Sequence, residues 1–231
     1  MYLLEGNIGA GKTTLLQFIK NHIPAFEVIE EPLTAWHTDT QGTTLLAEFY
    51  KNPQRWTFTM EIATLTTRIS EYQIEQAKKK SLQIMERSVY SGYHCFAKNG
   101  FEHGFMSSLE WHSYNDLFVF LTKYHCTPPS GFIYLQTDPI ICHRRIQSRN
   151  RSGEEGISLS YLEQIHEKHE QFLITNRVKT DSIARVPVLI LDGSVDFKND
   201  VRAFCKIKEK IENFIAQTVT CMSTKSKQLS I

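Results

Sequence analysis

"YLLEGNIGAGKTTLL" (residues 2–16) decides how this chain is read. Residues 2–5 have the pattern of a short buried strand, and residues 6–13 fit G-x-x-x-x-G-K-[ST] at every defined position. A helix is expected to begin near Lys12. Glycines in such a loop let successive backbone N–H groups curl around phosphate oxygens, and the helix N-terminus adds favourable partial charge. The motif therefore places Gly6, Asn7, Ile8, Gly9, Ala10, Gly11, Lys12, Thr13 and Thr14 around a nucleoside triphosphate such as ATP. Lys12 is expected to reach the β- and γ-phosphates, and the Thr13 hydroxyl to ligate Mg²⁺. A plain glycine turn would not require a strand before it and a helix after it.

Outward from this loop the same alternation continues. Strands are expected at 26–30, 81–87, 131–137 and 186–193, the last being the most apolar. A long helix follows Pro53, a second starts at Ser107 with capping-box spacing to Glu110, and a third opens at Asp138-Pro139. Strands alternating with helices predict an α/β fold: a five-stranded parallel sheet flanked by helices. Residues 218–231, "TVTCMSTKSKQLSI", read as a polar, mobile tail beyond a domain of residues 1–217.

With 231 residues, 41% of them hydrophobic, the chain suits one large domain with a real core. A net charge of +1 gives no global field toward nucleic acid or membrane, and no apolar run is long enough to span a bilayer. Five cysteines without C-x-x-C spacing argue against a disulfide scaffold or zinc site. With no basic or apolar leader, the expectation is a cytoplasmic protein with reduced thiols.

Three further stretches carry charge where an open α/β sheet places ligands, at strand carboxyl ends. "QIMERSVYSG" (83–92) ends a strand in Glu86 and Arg87, a second Mg²⁺-facing acid and a cation for a migrating phosphoryl group. "EEPLTAW" (30–36) supplies a carboxylate to accept a hydroxyl proton and Trp36 to wall a flat ring. Spacing leaves Glu30 and Glu31 equal there. "HRRIQSRNRSGEEG" (143–156) carries Arg145, Arg149 and Arg151 into a loop that suits a lid over about 145–156. Each stretch alone could be a surface ion pair or a solvated helix end. "HEKHE" (166–170) lacks H-E-x-x-H spacing and reads as helix packing, not as a metal site.

Together, "EGNIGAGKTT", "EPLTAW", "NPQRWTFTM", "ERSVY", "FAKN", "FIYLQT", "RNRSGEEGI", "YLEQIHEKHE" and "VPVLILD" resemble the deoxynucleoside kinases, from residue 1 to about 215. The resemblance implies a P-loop kinase fold with an arginine-rich lid, ATP and Mg²⁺ as cofactors, and a homodimer. The E-P-x-x-x-W register selects Glu31 as general base on the nucleoside 5′-hydroxyl. Arg87 would hold that hydroxyl and the phosphates, with Glu86 and Thr13 positioning Mg²⁺. Tyr50 and Glu154 match the pair that grips the sugar 3′-hydroxyl. Trp36, Phe49 and Phe96 match positions around the base, and Asp196 and Phe197 the loop touching the donor's adenine.

Two departures fall in the base pocket. Glu61 replaces the family's usual glutamine, and Gly92 replaces the aspartate that the deoxycytidine and deoxyguanosine kinases set near an arginine matching Arg68. Glu61 and Arg68 are seven residues apart and share a helix face, so they are expected to meet in the pocket. An ionised Glu61 only accepts and Arg68 only donates, a pattern suited to thymine and, second, guanine. Cytosine would set an acceptor against an acceptor, and an unpaired buried polar group costs about 1–3 kcal/mol. A preference for thymidine follows. The competing expectations are a non-catalytic kinase-fold subunit, which requires none of Lys12, Glu31 and Arg87, and a thymidylate-type kinase. In the latter, Glu31 would repel the acceptor phosphate.

Overall fold

Every residue of β1 (Tyr2–Glu5) is buried, and its alternating side chains sort the core into two layers. The computed structural model describes residues 1–31, 43–78, 82–151, 154, 156–175, 182–197 and 199–228. Within them, β1 joins β2 (Glu27–Ile29), β3 (Gln83–Glu86), β4 (Gly131–Gln136) and β5 (Val188–Asp192) in one parallel sheet ordered β2-β3-β1-β4-β5. Tyr2 lies beside Ile84 and Gly131, and Leu3 beside Met85 and Phe132. On one face Tyr2, Leu4, Ile84, Ile133 and Leu135 pack against α1 (Lys12–His22) and α9 (Val201–Gln228). On the other, Leu3, Met85, Phe132 and Tyr134 meet α3 (Pro53–Ala77), α6 (Ser108–His125) and the end of α8 (Leu159–Leu173).

Local chemistry sets the helix starts. Asn52 accepts from the Arg55 N–H ahead of Pro53. Ser107 and Glu110 complete both bonds of the expected capping box, and Asp138 accepts from the Ile140 N–H at the start of α7 (Pro139–Arg149). A short helix α2 (Leu45–Lys51) precedes α3. The chain after β3 winds through α4 (Val89–Ser91), a π-helical segment (Gly92–Ala97) and α5 (Lys98–Glu102). Among the described residues no helix is long and apolar enough to cross a membrane.

The connection after β1 leaves toward β2 and the one after β4 toward β5, so a crevice opens between these neighbours at their carboxyl ends. The glycine loop lies there. The tail expected from residue 218 is instead a continuation of α9, whose backbone stays helical to Gln228. Thr218 is buried because it donates to the Ile215 carbonyl and accepts from the Tyr2 hydroxyl at 2.6 Å. Polar composition did not disclose this long-range partner. Tyr2→Phe is expected to lower unfolding free energy by about 1 kcal/mol, the net worth of one such bond, in urea titrations.

Candidate active site

The carboxyl ends of β1, β2 and β3 and the lid segment enclose a cavity of about 560 Å³. Ile8, Gly9, Gly11, Lys12, Thr13 and Thr14 line it, whereas Gly6, Asn7 and Ala10 form the frame behind. Asn7 fixes the loop by donating to the Leu162 carbonyl and accepting from the Ile8 N–H, both at 2.8 Å. Gly9 has φ of 75°, and a Cβ there would stand 2.6 Å from the Cys142 carbonyl, so only glycine fits. Lys12 donates to the Gly6 and Asn7 carbonyls, and burial lowers it to about 8.

The Thr13 hydroxyl donates to both Glu86 carboxyl oxygens, at 3.1 and 3.0 Å. Burial raises the Glu86 carboxyl above its ordinary range, even with Lys12 opposing it. A hard-oxygen pair in which a buried acid lacks full charge compensation fits a divalent cation, and Mg²⁺ needs few protein ligands. Thr13 and Glu86 therefore fit the Mg²⁺ role.

Arg87 follows with φ of 62°, a left-handed conformation that costs a non-glycine residue about 1 kcal/mol. Its N–H still extends the sheet by donating to the Leu4 carbonyl at 2.8 Å. Its guanidinium lies over the Phe96 ring at 4.6 Å, and its Nη1 is buried without a hydrogen-bond partner among the described residues. Ser88 caps α4 by accepting from the Tyr90 and Ser91 N–H groups, and its hydroxyl donates to Glu5. Glu5 is wholly buried, and burial raises its carboxyl, against the pull of Ser88, Ser91 and Arg87. Nothing in local sequence marks this bond between β1 and the turn after β3.

Glu31 receives Arg68 Nη2 at 2.6 Å and Arg87 Nε at 3.3 Å, both on Oε1. Burial would raise this carboxyl, but Arg87, Arg68 and Lys12 together hold it below the usual carboxylate range. Glu30 is exposed and meets Gln17, so the structure sets Glu31, not Glu30, in the cavity. The expected Glu61–Arg68 ion pair does not form. Both share the buried stripe of α3, as the period requires, yet Glu31 arrives from β2 and takes the guanidinium. Glu61 is 5% exposed, its Oε2 has no hydrogen-bond partner among the described residues, and burial pushes it up to about 8 against Arg68 and Arg87. Gly92 is buried beside Arg68 and does not line the cavity.

Around the rest of the cavity stand Phe49 and Tyr50 from α2, Phe96 from the π-helical segment, and Asp196 and Phe197 after β5. In the lid, Arg149 and Arg151 both pair with Glu154, while Arg145 donates to the Ala10 and Gly193 carbonyls at 2.9 Å. Glu154 shares the cavity with Tyr50, but no hydrogen bond joins them. Trp36 lies outside the described residues. Met60, Thr64 and Tyr161 also line the cavity. The first two were legible as members of the α3 stripe, whereas Tyr161, edge-on to Tyr50 at 6.5 Å, had no local signal. In "HEKHE", His166 meets Glu170, and His169 is a core residue bonded to the Ile165 carbonyl and stacked on Tyr134.

Residues 3–216 match the sequence profile of the deoxynucleoside kinase family. A probable deoxycytidine kinase of fowlpox virus (strain NVSL) is 35% identical over 93% of this chain and 87% of its own length. Deoxycytidine kinase 2 of Gallus gallus is 36% identical over 90% of this chain and 85% of its own. The mitochondrial deoxyguanosine kinase of Xenopus laevis is 32% identical over 92% and 88%. With a family match over residues 3–216 and relatives above 30% identical across nearly the whole chain, the protein carrying this glycine loop, Glu31 and the Glu86–Arg87 pair belongs to the deoxynucleoside kinase family.

Proposed function

We propose that the protein transfers the γ-phosphoryl group of ATP to the 5′-hydroxyl of 2′-deoxynucleosides. The observation that carries this reading is a single cavity holding Lys12, Arg87 and the ionised Glu31 together with the glycine loop. Glu31, kept charged by its arginines, takes the hydroxyl proton. Arg87 has a buried N–H at Nη1 left to give to the phosphoryl oxygens. Lys12, still mostly protonated at neutral pH, would turn from the loop carbonyls to phosphate. Thr13 and Glu86 would hold Mg²⁺, which would offset the negative charge of the transferring phosphate. Arg145, Arg149 and Arg151 close over the phosphates, and Tyr50 with Glu154 receives the sugar 3′-hydroxyl. Phe49 and Phe96 wall the base, and Asp196 with Phe197 meets the donor's adenine. Transfer from labelled ATP to a deoxynucleoside should fall at least a hundredfold in Lys12→Ala and in Glu31→Gln. Undiminished transfer in both would remove the mechanism.

Base choice turns on Glu61. The thymidine preference presupposes a carboxylate, but a group pushed up to about 8 is neutral at pH 7. A neutral carboxyl donates through O–H and accepts through C=O, so it pairs with N3 and the amino group of cytosine as well as O4 and N3–H of thymine. The reading at neutral pH is therefore use of both pyrimidine deoxynucleosides, in keeping with relatives named deoxycytidine kinase. Deoxyguanosine, with the same donor–acceptor edge as thymine, remains second. Above about 8 the carboxylate, faced by Arg68 and Arg87, rejects the cytosine N3 lone pair. The deoxycytidine-to-thymidine ratio of kcat/KM is expected to fall about tenfold between about pH 6.5 and pH 9. In Glu61→Gln the ratio should stay flat, and a native ratio independent of pH would exclude this role.

Exposed Phe120 and Tyr124 on α6, 54% and 63% accessible, support the homodimer reading. Light scattering should give twice 26.8 kDa for the native chain and a single chain for Phe120→Asp. The free thiols Cys95, Cys126, Cys142 and Cys205 fit a reducing compartment such as the cytoplasm.

A further inference from the structure

Arg68 sits in the base pocket by sequence position, and it lines the same cavity as Glu31 and Glu61. Nη2 donates to Glu31 Oε1 at 2.6 Å, with the two side chains only 10% and 11% exposed. Nη1 lies toward Gly92, where a built Cβ would stand 3.0 Å away, so position 92 sets no acid against it. Glu61, on the same helix face, makes no ion pair with it. A carboxylate between two buried guanidinium groups has little freedom to rotate, because charge-assisted bonds are about twice as strong as neutral ones. The Arg68 hydrogen bond and the Arg87 ion-pair contact both fall on Oε1, which leaves Oε2 as the oxygen able to take a proton.

We infer that Arg68 is a positioning residue for the general base: it orients the Glu31 carboxylate instead of reading the nucleobase, and a glycine at 92 brings no competing carboxylate to its guanidinium. The assignment rests on the reading of Glu31 as base. An aspartate at position 92 would compete for the guanidinium at short range, so the absent side chain is part of the device. The other groups acting on Glu31 are Arg87 and Glu86 from the end of β3, Lys12 from the loop, Tyr50 from α2 and Glu71 from α3. Of these, Arg87 and Lys12 pull its proton affinity down, as Arg68 does, and Glu86 opposes them. Removing Arg68 therefore makes Glu31 easier to protonate.

The test is Arg68→Met, which keeps length and loses charge, followed by kinetics with deoxycytidine and thymidine and by carboxyl NMR titration of Glu31 in the substrate-free protein. The expected result is a kcat about tenfold lower for both nucleosides, with their ratio within about twofold of native. The acidic limb of the pH profile and the Glu31 titration midpoint should both move up by about one unit, the effect of losing an adjacent opposite charge. Arg68→Lys should restore at least half of that shift. Should Arg68→Met fold poorly, Gly92→Asp serves as the second variant, since it draws the guanidinium away and is expected to move the midpoint in the same direction. A changed nucleoside ratio with an unmoved midpoint would overturn the assignment and make Arg68 a base reader. An unmoved midpoint with an unmoved ratio overturns it equally. If the midpoint moves but neither native nor variant protein phosphorylates a deoxynucleoside, Arg68 keeps its hold on Glu31 and the transferase reading fails instead.

Discussion

Charge burial at the carboxyl edge of the sheet constrains everything else in this molecule. Lys12 and Arg87 are 5% exposed and Arg68 9%, and they stand among Glu5, Glu31, Glu61 and Glu86. Taking an ion out of water costs several kcal/mol unless partners compensate it. No single segment could supply those partners. Glu5 comes from β1, Glu31 follows β2, Arg87 ends β3 and Arg68 crosses from α3. The parallel sheet brings these ends to one edge, and the apolar layers on its two faces stabilise what the edge gives up. The strain in the Arg87 backbone belongs to the same arrangement, since an ordinary extended residue there would carry its side chain away from Glu31.

The two carboxyls proposed to take the hydroxyl proton and to select the base are driven apart by their neighbours. Glu31 meets two guanidinium groups and the Lys12 charge, and stays ionised. Glu61, buried without a bonded partner on Oε2, holds its proton to about 8. Equivalent acids in one cavity thus take opposite protonation states at neutral pH, one suited to accepting a proton and one to giving a hydrogen bond. Residue identity does not divide them; distance to the arginines does.

That division also marks the limit of reading from sequence. The strand–loop–helix of residues 2–22 was legible because every determinant is local: an apolar run, glycines at fixed spacing, a helix behind. The caps at Asn52, Ser107 and Asp138 were legible for the same reason, as was the shared face of Glu61 and Arg68. Which acid Arg68 meets was not, because Glu31 reaches it from a different strand and periodicity describes one helix at a time. The π-helical segment, the left-handed Arg87 and the Ser88–Glu5 bond depend on tertiary neighbours in the same way. Apolar character did not tell where β5 stands in the sheet. It is the most apolar strand, yet as an edge strand it leaves Ile190 42% exposed. The polar stretch from 218 was misread through the same gap, since its partner is Tyr2 at the opposite end of the chain.

The Tyr2–Thr218 bond bears on biosynthesis. β1 leaves the ribosome before its neighbours on either side, β3 and β4, and the Tyr2 hydroxyl waits for Thr218 of α9. At about 5–20 residues per second, the roughly 80 residues from β1 to the end of β3 take about 4–16 s, and until then the nucleotide loop is attached to a strand with no sheet to join. Topology of this kind folds slowly because distant closures precede the contacts that reward them. The phosphate-binding loop is thus made before the strands that hold β1 in the sheet, so an apolar β1 waits on the nascent chain until β3 and β4 follow it.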